Sequence, residues 1–137
     1  MKRWLKTGGV VCALIFDEVM MAQVDSLHRY YHTNGKVASE GMLVDGKPEG
    51  HWRTYYETGV LRSEGGRQDL LLEGVWRFYD LKGRLASTIT YMGDKKNGPA
   101  LKFDTTGVLL TEEIFLDDLR EGIGKYYHQN GVLYKEV

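Results

Sequence analysis

Tyr79-Asp80-Leu81-Lys82-Gly83-Arg84-Leu85 reads as one tight β-hairpin loop, and related stretches recur 24 residues away in both directions. Asp80 is placed to accept a hydrogen bond from backbone two residues on and so to open a type I turn. Gly83 then supplies the left-handed backbone that a residue with a Cβ disfavours. A three-residue loop of this kind pairs Asp80 with Arg84 and sets Tyr79 directly opposite Leu85. Such cross-strand neighbours contribute about 0.2–1 kcal/mol per pair. Aromatic and aliphatic positions should therefore persist together. They do: Tyr31, Tyr55, Tyr79, Phe103 and Tyr127 form one column, and Val37, Leu61, Leu85, Leu109 and Leu133 form its partner.

Two glycine series share the 24-residue spacing, Gly35, Gly59, Gly83, Gly107 and Gly131, and Gly50, Gly74, Gly98 and Gly122. Polar columns follow at Ser39, Ser63, Ser87 and Thr111, and at Glu40, Glu64, Glu112 and Glu136. So many columns in one register specify a repeat architecture. The expected fold is all-β, an antiparallel meander of tandem 24-residue β-hairpins in one elongated sheet. It should occupy residues 26–137 as four full copies and half a fifth. Ten strands are expected at about 27–32, 36–43, 51–56, 60–66, 75–80, 84–91, 99–104, 108–115, 123–128 and 132–137, with stretches such as Val44 to Gly50 returning the chain. At ~4.8 Å per strand each repeat advances ~10 Å, and the whole sheet spans ~45 Å.

Alternation along a strand places Tyr55 with Arg53 and turns Trp52 the other way with Thr54, unless Gly50 introduces a bulge. Both faces then carry aromatic groups. A single sheet cannot bury both, so it must curl or offer aromatic surface to a partner.

Composition is otherwise neutral. Lys+Arg 18 against Asp+Glu 19 gives no basic excess for nucleic acid and no acidic tail. The bias is toward 17 Gly and 9 Tyr, which suits short strands and tight turns. Residues 1–22 stand apart. Met1-Lys2-Arg3-Trp4-Leu5-Lys6 is basic, Gly8 to Phe16 is small and apolar, and Ala22-Gln23 offers a cleavage point. That order is expected of a secretory signal peptide. The apolar run is well short of the ~20 residues a spanning helix needs. Cleavage would place the mature chain in the periplasm or outside the cell; retention would leave it in the cytoplasm. Cys12 is the only cysteine, so neither disulfide nor cysteine metal site is expected.

Little points to chemistry. His32 and His128 share a column four repeats apart, ~40 Å along the sheet, too far for one metal. His28 and His51 lie in adjacent columns but lack a completing ligand set. The glutamate column resembles paired acids only superficially, since a hydrolase needs two carboxylates in different environments. It reads as a solvated charge ladder with Arg53, Arg77 and Lys125. The serine column sits in no strained nucleophile elbow. No catalytic residue, metal or cofactor is therefore expected. Trp52 and Trp76 have no aliphatic partner column and are the candidate contacts for a partner, ~10 Å apart.

Gly50-His51-Trp52-Arg53-Thr54-Tyr55, followed by Gly59-Val60-Leu61 and Ser63-Glu64, resembles the bacterial MORN-repeat variants. Gly74-Val75-Trp76-Arg77-Phe78-Tyr79 repeats the motif, and the resemblance covers residues 26–137. Ser26 departs from the strand-opening glycine, and Ala100 and Gly124 depart from the tryptophan. The resemblance implies a non-enzymatic protein-binding module, here with an export leader. It also admits a cytoplasmic antitoxin-like module that neutralises a toxin. A carbohydrate-binding envelope domain is a third expectation. Repeats of this type also touch membrane surfaces, although no residue pattern here calls for it. Partner identity and oligomeric state are not written in the residues.

Overall fold

The computed structural model describes residues 25–137. The expected signal segment, residues 1–22, lies outside them. Ten strands follow one another: β1 (Ser26–Tyr31), β2 (Val37–Val44), β3 (Lys47–Tyr55), β4 (Leu61–Gln68), β5 (Leu71–Tyr79), β6 (Leu85–Met92), β7 (Lys95–Phe103), β8 (Leu109–Leu116), β9 (Leu119–Tyr127) and β10 (Leu133–Glu136). They form one antiparallel sheet in strict sequence order, the meander that the residue columns imply.

The loop that decided the fold forms as its residues require. The amides of Gly83 and Lys82 donate to the backbone and carboxylate oxygens of Asp80, and Tyr79 stands opposite Leu85. The same pairing joins Tyr31 to Val37, Tyr55 to Leu61, Phe103 to Leu109 and Tyr127 to Leu133. Gly83 has φ +79, and its four column mates lie between +81 and +90.

The connections between hairpins differ from expectation. Residues 44–50 are not a loop: β3 begins at Lys47, four residues earlier than its sequence reading. Two-residue turns suffice, at Asp45-Gly46, Asp69-Leu70, Gly93-Asp94 and Asp117-Asp118, and all eight residues have positive φ. Such type I′ turns match the right-handed twist of the strands they join. Only two of the four contain the glycine that advertises them.

The conditional bulge at Gly50 is present. Met42 faces Glu49 and Gly41 faces Trp52, so Gly50 and His51 drop out of the β2 ladder while still pairing with Arg67 and Gly66 of β4. Gly50 has φ +72, and Gly74, Gly98 and Gly122 share the conformation at +75, +110 and +68.

Candidate functional site

The two faces of the sheet solve burial differently. On the tyrosine face, polar groups satisfy one another. Glu64 accepts the Tyr79 hydroxyl at 2.7 Å and the His51 ring nitrogen at 3.0 Å, with Arg53 at 3.5 Å. Glu40 accepts the Tyr55 hydroxyl at 2.7 Å and Arg29 at 2.9 Å. These glutamates are not the solvated ladder expected of them, since their side chains are only 18% and 19% exposed. The tyrosine hydroxyls hold both carboxylates below their ordinary range, assisted by Arg29 at Glu40 and by His51 at Glu64, against burial. Burial first, and then the glutamates, push Tyr55 and Tyr79 upward.

The other face carries the tryptophans. Trp52 and Trp76, 4% and 3% exposed, are the most buried apolar side chains described. Their indoles are therefore not open docking groups: of the two dispositions the sequence leaves open, facing inward or facing a partner, the rings themselves take the inward one. The cause is a pair of glycines on the preceding strands. Trp52 lies flat over Gly41 and Trp76 over Gly65, so closely that a Cβ on either glycine would fall within the ring. Where the tryptophan is missing, so is the glycine. Ile89 stands opposite Ala100 in β6 and β7. Farther along, Arg120 covers Gly124. Gly41 and Gly65 are 24 residues apart, a two-member column that would have shown which way the indoles turn.

What this face does present is a row built on the buried rings. Tyr30 tilts against Trp52 with centroids 6.5 Å apart, and Phe78 against Trp76 at 6.4 Å. Between the indoles sits Arg67, its guanidinium 6.0 Å from the Trp52 ring and 5.8 Å from that of Trp76. A cation at that distance from a ring face gains about 0.5–1 kcal/mol when exposed and more when desolvated. Arg67 also donates to the Leu70 carbonyl at 3.2 Å, which limits its rotation. Sequence reading missed it, because Arg67 has no equivalent in other copies: Tyr91 and Phe115 hold its column.

A groove of about 250 Å³ opens here, lined by Tyr30, Ser39, Pro48, Thr54, Arg67 and the two indoles. Beneath it Thr54 and Ser63 share a 2.6 Å hydrogen bond. The indole N–H of Trp76 donates to the Gly66 carbonyl at 2.9 Å, whereas that of Trp52 is buried without an acceptor. A larger hollow of about 510 Å³ lies on the tyrosine face beside Arg29, Lys36, Glu40 and Tyr55. Its glutamate and tyrosine are already bonded to each other, so the tryptophan face is the better candidate surface.

Among the described residues no group of three His, Cys, Asp or Glu side chains could hold a metal ion. His28 packs edge-on against Tyr30, and the His32 ring donates to the Tyr55 carbonyl.

A family model described as MORN repeat variant matches residues 25–45, 48–67, 72–92 and 120–137, more than half of the chain. The unmatched interval contains β7 and β8, where Ala100 replaces the tryptophan. No curated protein matches the chain.

Proposed function

The chain belongs to the MORN repeat variant family, and from that premise we propose that it is a non-catalytic module binding another protein through the tryptophan face of its sheet. Repeats of this family are in general protein- or membrane-binding modules. The observation that carries the choice of face is the row Tyr30, Trp52, Arg67, Trp76 and Phe78. Tryptophan, tyrosine and arginine are the residue types that dominate binding hot spots. Here the indoles act from beneath: packed on glycine, they hold Arg67 and Tyr30 in place, so little side-chain freedom is lost on association. Tyr30 is 50% exposed. With a net charge of −1 the chain as a whole has no basic excess to draw it to an anionic membrane.

The place of action that fits the N-terminal residues is the cell envelope, with residues 1–22 removed as a leader. N-terminal sequencing from the native host should begin at Gln23; an intact Met1 in the cytosol would overturn export.

Photo-crosslinking in that host tests the face. A benzophenone probe at Phe78, in the row, should yield one discrete adduct with a different chain, and Arg67→Ala should abolish it. The same probe at Phe103, on the opposite face, should not. Adducts from position 103 alone, or one at 78 indifferent to Arg67→Ala, would refute the reading.

A further inference from the structure

Among the described residues, the two edge strands of the sheet carry the two halves of a junction that the molecule already makes inside itself. At three of the four places where one hairpin meets the next, a glutamate on the outgoing strand faces a cation, with a tyrosine two residues farther along the incoming one. At β2–β3, Glu40 stands opposite Arg53 and accepts the Tyr55 hydroxyl. At β4–β5, Glu64 stands opposite Arg77 and accepts the Tyr79 hydroxyl. At β6–β7 all three residues change together: Thr88 faces Leu101, and Phe103 takes the tyrosine position. At β8–β9 the residue types return as Glu112, Lys125 and Tyr127, although there it is Tyr126 that donates to a glutamate, Glu113 at 2.9 Å. Three residue types that appear and vanish as a unit answer to one junction, not to strand propensity.

A fourth such set is divided between the ends. Glu136 on β10 occupies the glutamate column; Arg29 and Tyr31 on β1 occupy the other two. Tyr55 and Tyr79 bond their glutamates half-buried, whereas Tyr31 is 61% exposed. The loops repeat the message. In the first, the His32 ring donates to the Tyr55 carbonyl at 2.9 Å and the Asn34 amide to the Glu57 carbonyl at 2.8 Å, stapling it to the next hairpin. Only the last loop has the same pair, as His128 and Asn130. Among the described residues no hairpin lies beyond it to receive those donors. The carbonyls they would meet belong to residues in the columns of Tyr55 and Glu57, which are Tyr31 and Thr33 at the opposite edge.

We infer that β10 takes β1 of a second copy of this chain, antiparallel and in the register of the internal junctions. Carrying the β2–β3 register forward by whole repeats sets Lys135 opposite Tyr30, Glu136 opposite Arg29 and Val137 opposite His28 of the next copy. The Tyr31 hydroxyl of that copy then donates to Glu136, and His128 and Asn130 find the carbonyls of its Tyr31 and Thr33. Opposite charges meet at Glu136 and Arg29, and backbone pairing supplies the rest, as in other strand additions to open edges. Two different edges make a heterologous contact, so copies add head to tail. This holds whether or not the tryptophan face binds a partner.

Cysteine trapping in the full-length Cys12→Ser chain tests the register. Glu136→Cys and Arg29→Cys variants, mixed under mild oxidant, should give a disulfide-linked heterodimer, and each alone should give little. In sedimentation velocity the wild-type chain should shift to larger species as concentration rises. Tyr31→Phe should weaken that association about tenfold, the loss of one hydrogen bond to a charged group, with an unchanged melting point. Equal cross-linking within either single variant would mean like-to-like edges and overturn the inference. So would a wild-type chain that stays monomeric at every concentration, or a Tyr31→Phe chain that associates as well as wild type.

Discussion

Exchanging the Trp76–Gly65 couple for the Ala100–Ile89 couple of the next hairpins probes the packing logic of the tryptophan face. Trp76 is 3% exposed. An indole buries about 150–250 Å², which at about 25 cal/mol per Å² is about 4–6 kcal/mol. Trp76→Ala should therefore cost about 3–5 kcal/mol, in the usual range for large-to-small core changes. Gly65→Ile alone drives a side chain into the ring, overpacking that costs about 1–3 kcal/mol or more. Independent effects would add, for a double-mutant loss of about 4–8 kcal/mol. The structure argues otherwise, because the isoleucine would fill the volume the indole vacates, as Ile89 does over Ala100. Urea unfolding of the full chain, followed by circular dichroism, should show Gly65→Ile/Trp76→Ala more stable than Trp76→Ala by about 1 kcal/mol or more. Additive losses would refute the claim that tryptophan and glycine exchange as a unit.

Trp76→Phe should cost about 1 kcal/mol more than Trp52→Phe, since only the Trp76 N–H has an acceptor; paired chemical melts compare them. Glu64 lies below its ordinary value of 4.5, chiefly because Tyr79 bonds the carboxylate. Its stabilisation should be full above that value and lost as pH falls through the lowered one, and Tyr79→Phe should flatten this acid limb in a series of melts. At the alkaline end Tyr79, raised above 10.0 by burial and by Glu64, stabilises below that value and ceases to as pH rises through the elevated one. Leu70 sits at φ +74 in its turn and is 53% exposed. Leu70→Gly should relieve about 1–2 kcal/mol of left-handed strain, partly offset by about 0.5–1 kcal/mol of glycine entropy, and so raise the melting point.

Most of the fold was legible because its decisive contacts are local and periodic. Asp80 and Gly83 specify a loop, the loop specifies that Tyr79 faces Leu85, and the 24-residue recurrence extends the pairing to every hairpin. The return turns were harder to read. Asp69-Leu70 and Asp117-Asp118 adopt type I′ geometry without a glycine, held there by the strands they join. In the glutamate column the facing cations were legible and Glu136 is exposed as expected. Glu40 and Glu64 were misjudged, because charge alone suggests solvent whereas their burial follows from a tyrosine hydroxyl two residues beyond the facing arginine. The tryptophans were legible as special but not as inward. Their direction depends on Gly41 and Gly65, a short column on other strands that lacks turn geometry. Arg67 carried no periodic signal. Aperiodic residues on a periodic scaffold are where a binding surface becomes individual, and repeat logic cannot predict them.

Proton NMR of Gly41 and Gly65 tests the central claim most directly, that the two indoles lie flat on glycines of the preceding strands and support the surface from within. Their Hα resonances should be displaced upfield by the ring currents of the indoles, with strong cross-relaxation from Gly41 to the Trp52 ring and from Gly65 to the Trp76 ring. The Hα resonances of Gly35, which has no ring above it, should lie in the ordinary range. Unshifted Gly41 and Gly65 resonances, with indoles quenched by solvent as readily as free tryptophan, would contradict the account.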